Sequence, residues 1–223
     1  MNKHVLEING ATKTIQGNTV LDHISLHFES GKIYGLRGKN GCGKTMLMRA
    51  ICGLIFLTEG SIVIDGETLG KTISFPKSVG ALIENPSFIG GYTGLKNLKI
   101  LADIQKNIGE ERVRQAIQKV GLDPDDKRKY RKYSLGMKQR LGIAAAIMEH
   151  PDLVILDEPI NALDENGVVL VRDILHELKE DGCLIILACH DKEELDMLAD
   201  EIYLMENGKI TGHVAPSEEM EHD

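Results

Sequence analysis

The residues best suited to chemistry stand in one glycine-rich segment, GKNGCGKT at 38–45, between an apolar run and an apolar segment with helical spacing. Its three glycines leave room for consecutive backbone N–H groups to turn toward a polyphosphate, which any larger side chain would crowd. Lys44 can reach the β- and γ-phosphates, Thr45 can bind Mg²⁺, and the following helix points its positive end at the same charge. The segment therefore predicts a phosphate loop. A glycine-rich turn, the alternative, leaves Lys44 without a task.

Two adjacent carboxylates, Asp157 and Glu158, end the apolar segment LVILDE, at the edge where open α/β sheets bind ligands. Burying such a pair is costly unless a cation or a reaction uses it. We expect Asp157 to hold Mg²⁺ through water and Glu158 to polarise the attacking water as general base. A merely solvated pair at the end of a strand is the alternative.

His190 follows the next apolar run, LIILAC, and so has the same topological position as Asp157. At the ligand edge of the sheet it could hydrogen-bond a γ-phosphate and the attacking water, although a lone histidine is more often structural. Asp191, with Glu194 three residues later, is predicted to cap the next helix and to have no chemical role.

The elements that must position these residues are predicted from hydrophobic periodicity. Short strands over 5–8 and 24–28, separated by glycine and asparagine turn signals, precede the loop. From Thr93 the apolar residues fall at helical spacing, and this helical insertion closes with a helix that follows Ser134 and ends by Pro151. Beyond it, continuous apolar strands alternate with amphipathic helices, which indicates a parallel sheet covered on both faces.

The composition is that of a soluble globular protein, with 27% charged and 42% hydrophobic residues among 223. A net charge of -8 argues against broad nucleic-acid binding. No apolar run approaches the roughly 20 residues that span a bilayer, and the first residues lack the apolar region of a signal peptide, so we expect a cytosolic protein. The four cysteines lack metal-ligand spacing, and reduced, mostly buried thiols are expected.

Five segments in order, GKNGCGKT, YSLGMKQR, ILDEP, NALD and CHD, together resemble the motifs of the nucleotide-binding subunit of an ATP-binding cassette (ABC) transporter. The match covers nearly the whole chain and implies one ABC ATP-binding domain over 1–223, with an α/β P-loop NTPase fold. Residues 1–85 and 151–215 would form a RecA-like, mostly parallel sheet core with an N-terminal antiparallel β part. Residues 86–150 would form an inserted α-helical subdomain that carries the signature segment, and 216–223 a solvated tail.

The resemblance also implies how the site is assembled. Two copies, or this chain and a like subunit, would form a dimer that holds each ATP between the phosphate loop of one chain and the signature segment of the other. Ser134 and the backbone N–H of Gly136 would meet the γ-phosphate across this interface, and Asp164 would contact the opposite subunit. The implied catalytic residues are Glu158 and His190, the latter as the switch histidine. The implied ATP contacts are Gly38, Lys39, Asn40, Gly41, Cys42, Gly43, Lys44, Thr45, Met46, Ser134 and Gly136, and the implied Mg²⁺ ligands are Thr45, Glu84 and Asp157.

A further implication is a separate transmembrane permease, with this subunit peripheral on the cytoplasmic face of the cell membrane. The apolar, glycine-containing stretch 88–92 lies where the coupling helix of the membrane subunit docks in this family; ordinary loop packing is the alternative. The combination of ALIENP and YSLGMKQR resembles the bacitracin- or lantibiotic-type branch, whose members export antimicrobial peptides or confer immunity to them.

Two departures from the family pattern bear on the site. The usual signature is L-S-G-G-Q, of which only Ser134 and Gly136, the two that would face phosphate, are retained. The glutamine expected at the metal-sensing loop is Glu84, which still offers an oxygen but adds a negative charge beside Mg²⁺ and the nucleophile.

Other functions remain open from the sequence. A soluble cassette ATPase in DNA repair, cofactor assembly or translation would share these motifs, although no coiled-coil arms or tandem cassettes are evident. A small-molecule kinase or a GTPase shares the phosphate loop, but the N-K-x-D guanine motif is missing and the signature segment would have no task. The basic run at 127–132 is interpreted as a solvated loop, ahead of steering of ATP or the partner subunit and ahead of nucleic-acid binding.

Overall fold

The computed structural model describes residues 3–190 and 192–215. The strands are β1 (Val5–Ile15), β2 (Asn18–Glu29), β3 (Ile33–Arg37), β4 (Glu59–Ile64), β5 (Glu67–Thr68), β6 (Val79–Leu82), β7 (Leu153–Asp157), β8 (Leu184–Cys189), β9 (Glu201–Glu206) and β10 (Lys209–Val214). The helices are α1 (Lys44–Ile51), α2 (Gly94–Gln105), α3 (Glu110–Lys119), α4 (Leu135–Ile147), α5 (Glu165–Glu180) and α6 (Lys192–Leu198). The predicted cap Asp191 and the predicted tail at 216–223 lie outside the described residues.

These strands form two sheets. The larger has the order β10-β9-β3-β8-β7-β6, and all its neighbouring strands pair in parallel except β10, which is antiparallel to β9. The smaller, β2-β1-β4-β5, is antiparallel throughout. The predicted fold class, a mostly parallel core with an N-terminal antiparallel β part and inserted helices, is confirmed.

The parallel sheet is covered on both faces, which explains why its central strands read as continuous apolar runs. Every residue of β7 and β8 is buried. Ile155 and Ile186 pack into the core shared with the antiparallel sheet and α1. Leu156 and Leu187, one position along each strand, pack into the core shared with α2 to α5. Because successive side chains point to opposite faces of a strand, neither face can be polar here.

The prediction of short strands over 5–8 and 24–28 is wrong in extent, since both belong to the long β1–β2 hairpin. Gly10, one of the glycines interpreted as a turn, instead falls at a register shift between Ile8 and Ala11, and the strand continues beyond it. A bulge of this kind absorbs an extra residue without ending the strand. The hairpin turns at residues 16–17.

The expectations drawn from composition concern thiols and membrane spans. The four cysteines, all among the described residues, are buried and form no disulfide, as expected. Burial raises the pKa of the Cys52 and Cys183 thiols to about 12, so both stay protonated near neutral pH. Among the described residues, none of the helices combines the length and apolar character that crossing a bilayer requires.

We predict that glycine at position 80 is what allows β6 to approach α4 so closely. A Cβ built on Gly80 would lie 1.7 Å from the backbone oxygen of Ala146, so Gly80→Ala should force the helix and strand apart. The expected loss is about 1–3 kcal/mol or more in the free energy of unfolding, measured by urea denaturation. Gly91→Ala is the matched control, because nothing lies within 4 Å of its added Cβ, and its effect should stay within about 0.5 kcal/mol. Equal stability of the two variants would contradict the close packing.

Candidate functional site

The phosphate loop, 38–45, joins β3 to α1 and requires glycine at two positions. Gly43 is the N-cap of α1 with a φ of 113°, in the left-handed region that residues with a Cβ rarely adopt. A Cβ on Gly38 would lie 2.3 Å from the backbone oxygen of Met205 in β9. The loop can therefore follow this path between β3, β9 and α1 only with glycine at both positions.

The N-terminus of α1 fits an anion. Gly43 makes no side-chain capping hydrogen bond, and the first turn of α1 contains no acidic residue. The N–H groups of the first turn and the positive end of the helix dipole are therefore suited to a phosphate. Lys44 is buried, and its Nζ donates to the backbone oxygen of Gly38 at 2.5 Å, which keeps the ammonium group within the loop. These features together fit a polyphosphate ligand.

Thr45 and Asp157 bring oxygen atoms from α1 and β7 together. Thr45 Oγ1 donates to Asp157 Oδ2 at 2.7 Å, and Asp157 is buried at the carboxyl end of β7. A hydroxyl beside a carboxylate suits Mg²⁺, which binds oxygen ligands and keeps several of its waters. Both residues line a cavity of about 240 Å³ beside the phosphate loop. The two oxygen ligands for Mg²⁺ that were predicted from motifs far apart in the sequence thus lie next to each other.

Glu158 and His190 form a hydrogen-bonded pair next to this cavity. His190 Nδ1 lies 2.9 Å from Glu158 Oε2. The N–H of Glu158 donates to the backbone oxygen of Ala188 in β8 at 2.8 Å, which fixes the residue at the sheet edge. A carboxylate oriented by an imidazole beside a phosphate site can accept a proton from a water molecule. The structure therefore brings His190 to the carboxylate of the predicted general base.

Glu84 lies in an ion pair that the sequence analysis missed. Arg49 Nη2 donates to Glu84 Oε1 at 2.8 Å, and both side chains are partly exposed. Glu84 lines a cavity of about 410 Å³ together with Asp157 and Glu158, so three carboxylates face one space. Arg49 offsets the additional negative charge. Its position, one turn after Thr45 on the same face of α1, is the signal that could have revealed it.

Within the signature segment, Leu135 lines the cavity of about 410 Å³ together with Asn40 of the phosphate loop and Glu158. Ser134 is the N-cap of α4, as predicted, with Oγ accepting from the N–H of Met137 at 3.2 Å. Of the described residues, those lining the phosphate-loop cavity include neither Ser134 nor Gly136. Ser134 is exposed, and the adjacent Leu135 is 60% exposed. The N-terminus of α4 is thus open to another molecule.

Two further polar residues, one capping α5 and one in α4, have hydrogen-bond partners within the chain. Asp164 is the N-cap of α5, with Oδ1 accepting from the N–H of Gly167 at 3.0 Å, so it has a role within its own chain. Gln139 in α4 donates to the backbone oxygens of Glu158 and Pro159. Gln139 has no role predicted from the sequence, where its only signal is that a polar residue interrupts the otherwise apolar side of α4.

Comparison with known proteins is consistent with this geometry. The ABC transporter family model matches residues 21–161. YybJ, an uncharacterised ABC transporter ATP-binding protein of Bacillus subtilis (strain 168), is 51% identical over 206 residues, covering 92% of this chain and 94% of YybJ. BcrA, the bacitracin transport ATP-binding protein of Enterococcus faecalis, is 41% identical over 218 residues, covering 97% of this chain and 71% of BcrA. The dimeric ATP-binding cassette MJ0796, solved with ADP and Pi, has the same fold, with a TM-score of 0.86 at 21% identity over 95% of this chain and 98% of the other.

We predict that Arg49 matters because Glu84 is charged. Arg49→Gln should weaken MgATP binding about twofold to fivefold, since an exposed pair of this kind contributes about 0.4–1 kcal/mol and the bare carboxylate repels the phosphates. In a Glu84→Gln background the same substitution should have little effect. Equilibrium titration of the two single variants and the double variant with MgATP measures both values. An equal loss in both backgrounds would show that Arg49 acts independently of Glu84.

Proposed function

The chain belongs to the ABC transporter family as an ATP-binding, ATP-hydrolysing subunit, and from this premise we propose that it works as a dimer on a membrane permease that exports antimicrobial peptides. The observation that carries the proposal is the convergence of the phosphate loop, the Thr45–Asp157 pair and the Glu158–His190 pair at one sheet edge. Each supplies a different requirement of phosphoanhydride hydrolysis, namely binding, metal coordination and water activation.

In the proposed mechanism the loop N–H groups and Lys44 bind the β- and γ-phosphates, and Thr45 and Asp157 would hold Mg²⁺. Bound Mg²⁺ would neutralise charge that develops on the phosphate oxygens. Glu158 accepts a proton from the attacking water as the water oxygen bonds to the γ-phosphorus, and the bond from that phosphorus to the bridging oxygen breaks, so that ADP and phosphate are the products. His190 keeps the Glu158 carboxylate oriented through the 2.9 Å contact between Nδ1 and Oε2. This set of side chains contains a base, but it needs additional donors to surround the γ-phosphate.

We assign those donors to the signature segment of a second copy. The support is that Ser134 already caps α4 and keeps a hydroxyl proton to donate, that Gly136 follows in the first turn, and that Leu135 is largely exposed. The helix N-terminus adds a positive electrostatic end. An exposed leucine beside an anion-binding helix terminus suits a surface that is covered when two chains close on ATP.

The permease would dock on the loop at 88–92 and the adjacent face of α2, on the cytoplasmic side of the membrane. Ile89 is 52% exposed and Ile104, near the end of α2, is 73% exposed. The buried Asn97 holds the loop in place. Its Oδ1 accepts from the N–H of Ile89 at 2.8 Å, and its Nδ2 donates to the backbone oxygen of Ile89 at 3.2 Å. A rigid loop that presents an apolar side chain suits a partner helix. The peptide cargo is proposed from the similarity to BcrA.

We predict that Glu158→Gln binds ATP, accumulates as a dimer and loses roughly 10²–10⁴-fold in turnover, because the amide keeps the shape of the carboxylate but cannot accept the proton. Size-exclusion chromatography with MgATP measures the dimer, and phosphate release measures turnover. Adding Ser134→Arg to this variant should abolish the dimer while leaving the monomer folded. Near-normal turnover of Glu158→Gln would exclude it as general base, and full activity of a monomer would exclude the shared site.

We also predict that Ile89→Asp reduces recovery of a polytopic membrane protein with the tagged subunit from membranes of the source cells, at least about tenfold. A charge in the centre of an apolar contact is left without a partner there. Val169→Asp in α5 is the matched control, since Val169 is also exposed, at 47%, but lies on another element. Affinity purification followed by quantitative mass spectrometry compares the two. Equal recovery would place the permease contact elsewhere, and no membrane protein with any variant would favour a soluble cassette ATPase.

A further inference from the structure

The side chain of Gln139 is buried in the contact between α4 and the segment that follows β7. It is 6% exposed, and its Nε2 donates to the backbone oxygen of Glu158 at 2.8 Å and to that of Pro159 at 3.1 Å. Its neighbours one turn along α4, Gly142 and Ile143, are buried and apolar. A buried amide in such surroundings is unfavourable unless its N–H groups have partners. Here both hydrogen bonds go to one short segment, which begins with the proposed general base.

That segment adopts a backbone conformation that needs support. Glu158 has a φ of 50° and Ala162 a φ of 65°, both in the left-handed region and neither a glycine. Such a conformation is unfavourable by about 1–2 kcal/mol per residue. On one side the N–H of Glu158 donates to Ala188 in β8, and on the other Gln139 binds the oxygen of the same residue. The backbone N–H of Glu158 is therefore bound to the sheet, and its backbone oxygen is bound to α4.

A second contact joins the same two parts of the chain. Gly136, in the first turn of α4, lies so close to the segment that an added Cβ would be 2.9 Å from the backbone oxygen of Ala162. The first two turns of α4 thus touch both the beginning and the end of residues 158–162. A displacement of the N-terminus of α4, where Ser134 lies, would consequently move the backbone that carries the Glu158 carboxylate.

We propose that Gln139 is a positioning residue that sets Glu158 for hydrolysis and links it to the signature segment. The inference rests on the shared site proposed above, in which Ser134 serves the nucleotide of the partner chain while Glu158 serves the nucleotide of its own. Gln139 then transmits the state of one nucleotide to the general base acting on the other. The link consists of two hydrogen bonds from the Gln139 side chain to the backbone oxygens of Glu158 and Pro159.

The test compares Gln139→Met with Leu141→Ala. Methionine has nearly the shape of glutamine but donates no hydrogen bond, so Glu158 should lose its position while the packing is kept. We expect kcat to fall about tenfold to hundredfold, the effect of a misplacement near 1 Å, with KM for MgATP changed less than about threefold. Leu141 is fully buried in the same helix. Leu141→Ala should lower the melting temperature at least as much as Gln139→Met does. It should leave kcat within about twofold of the wild-type value.

A double-mutant cycle tests the link to the signature segment. If Gln139 carries part of the effect of Ser134 to Glu158, the fold-loss of kcat in Ser134→Ala with Gln139→Met should be smaller than the product of the two single losses. Multiplicative losses would overturn the link.

Unchanged kcat in Gln139→Met, or an equal loss in Leu141→Ala, would overturn the positioning role. If Gln139→Met does not fold, Gln139→Asn, which keeps an amide too short to reach the carbonyls, should show the same fall in kcat, and wild-type kcat there would also overturn it.

The same measurements separate this inference from the proposed function. Glu158→Gln with near-normal turnover would remove the base that Gln139 is meant to position, so the proposed function itself would fail. An inactive Glu158→Gln together with a fully active Gln139→Met would leave the proposed function in place and remove only the role of Gln139.

Discussion

The parallel register of β3, β8 and β7 is the constraint on which the rest of the site depends. In the sheet Arg37 pairs with Cys189 and Ala188 pairs with Asp157, so the three strands end side by side. The next residues along the chain are the phosphate loop after β3, Glu158 after β7 and His190 after β8. Groups that lie more than a hundred residues apart in sequence therefore meet at one sheet edge. A shift of one residue in any pairing would turn their side chains to the opposite face.

This register is maintained because both faces of the sheet are buried. Alternate side chains of β7 and β8 belong to two different cores, one with the antiparallel sheet and α1 and one with the inserted helices and α5. The same packing holds the phosphate loop rigid. Its glycine at 38 passes within contact of β9, and the helix that begins at Lys44 packs through Leu47 and Ile51 into the first core. The N–H groups proposed to bind phosphate are thus held by well-packed surroundings, which reduces the reorganisation needed on binding.

The catalytic edge carries more negative charge and more backbone strain than the core around it, and each is offset by a specific contact. Glu84, Asp157 and Glu158 line one cavity, while Arg49 pairs with the first and Thr45 with the second. Glu84 and Glu158 both have a positive φ, and the second is held by hydrogen bonds on both sides. Strain of this kind persists only where the surroundings hold it in place, and it concentrates at functional sites. Arg49 and Gln139 belong to the site because the first offsets the charge of Glu84 and the second holds the strained backbone at Glu158. Neither is predicted to touch the reacting atoms.

The sequence alone determined the type of fold, the phosphate loop and the order of the motifs, because these depend on local composition and on periods of two and of about 3.6 residues. It also predicted the Ser134 cap, since the groups involved are three residues apart. It failed on the length of β1 and β2, because a glycine in a bulge looks like a glycine in a turn. Only the tertiary structure decided that Arg49 meets Glu84, that His190 meets Glu158 and that Gln139 holds the backbone beside it. These contacts join residues from different elements, and whether such residues meet depends on strand order, register and helix packing, which hydrophobic periodicity does not encode.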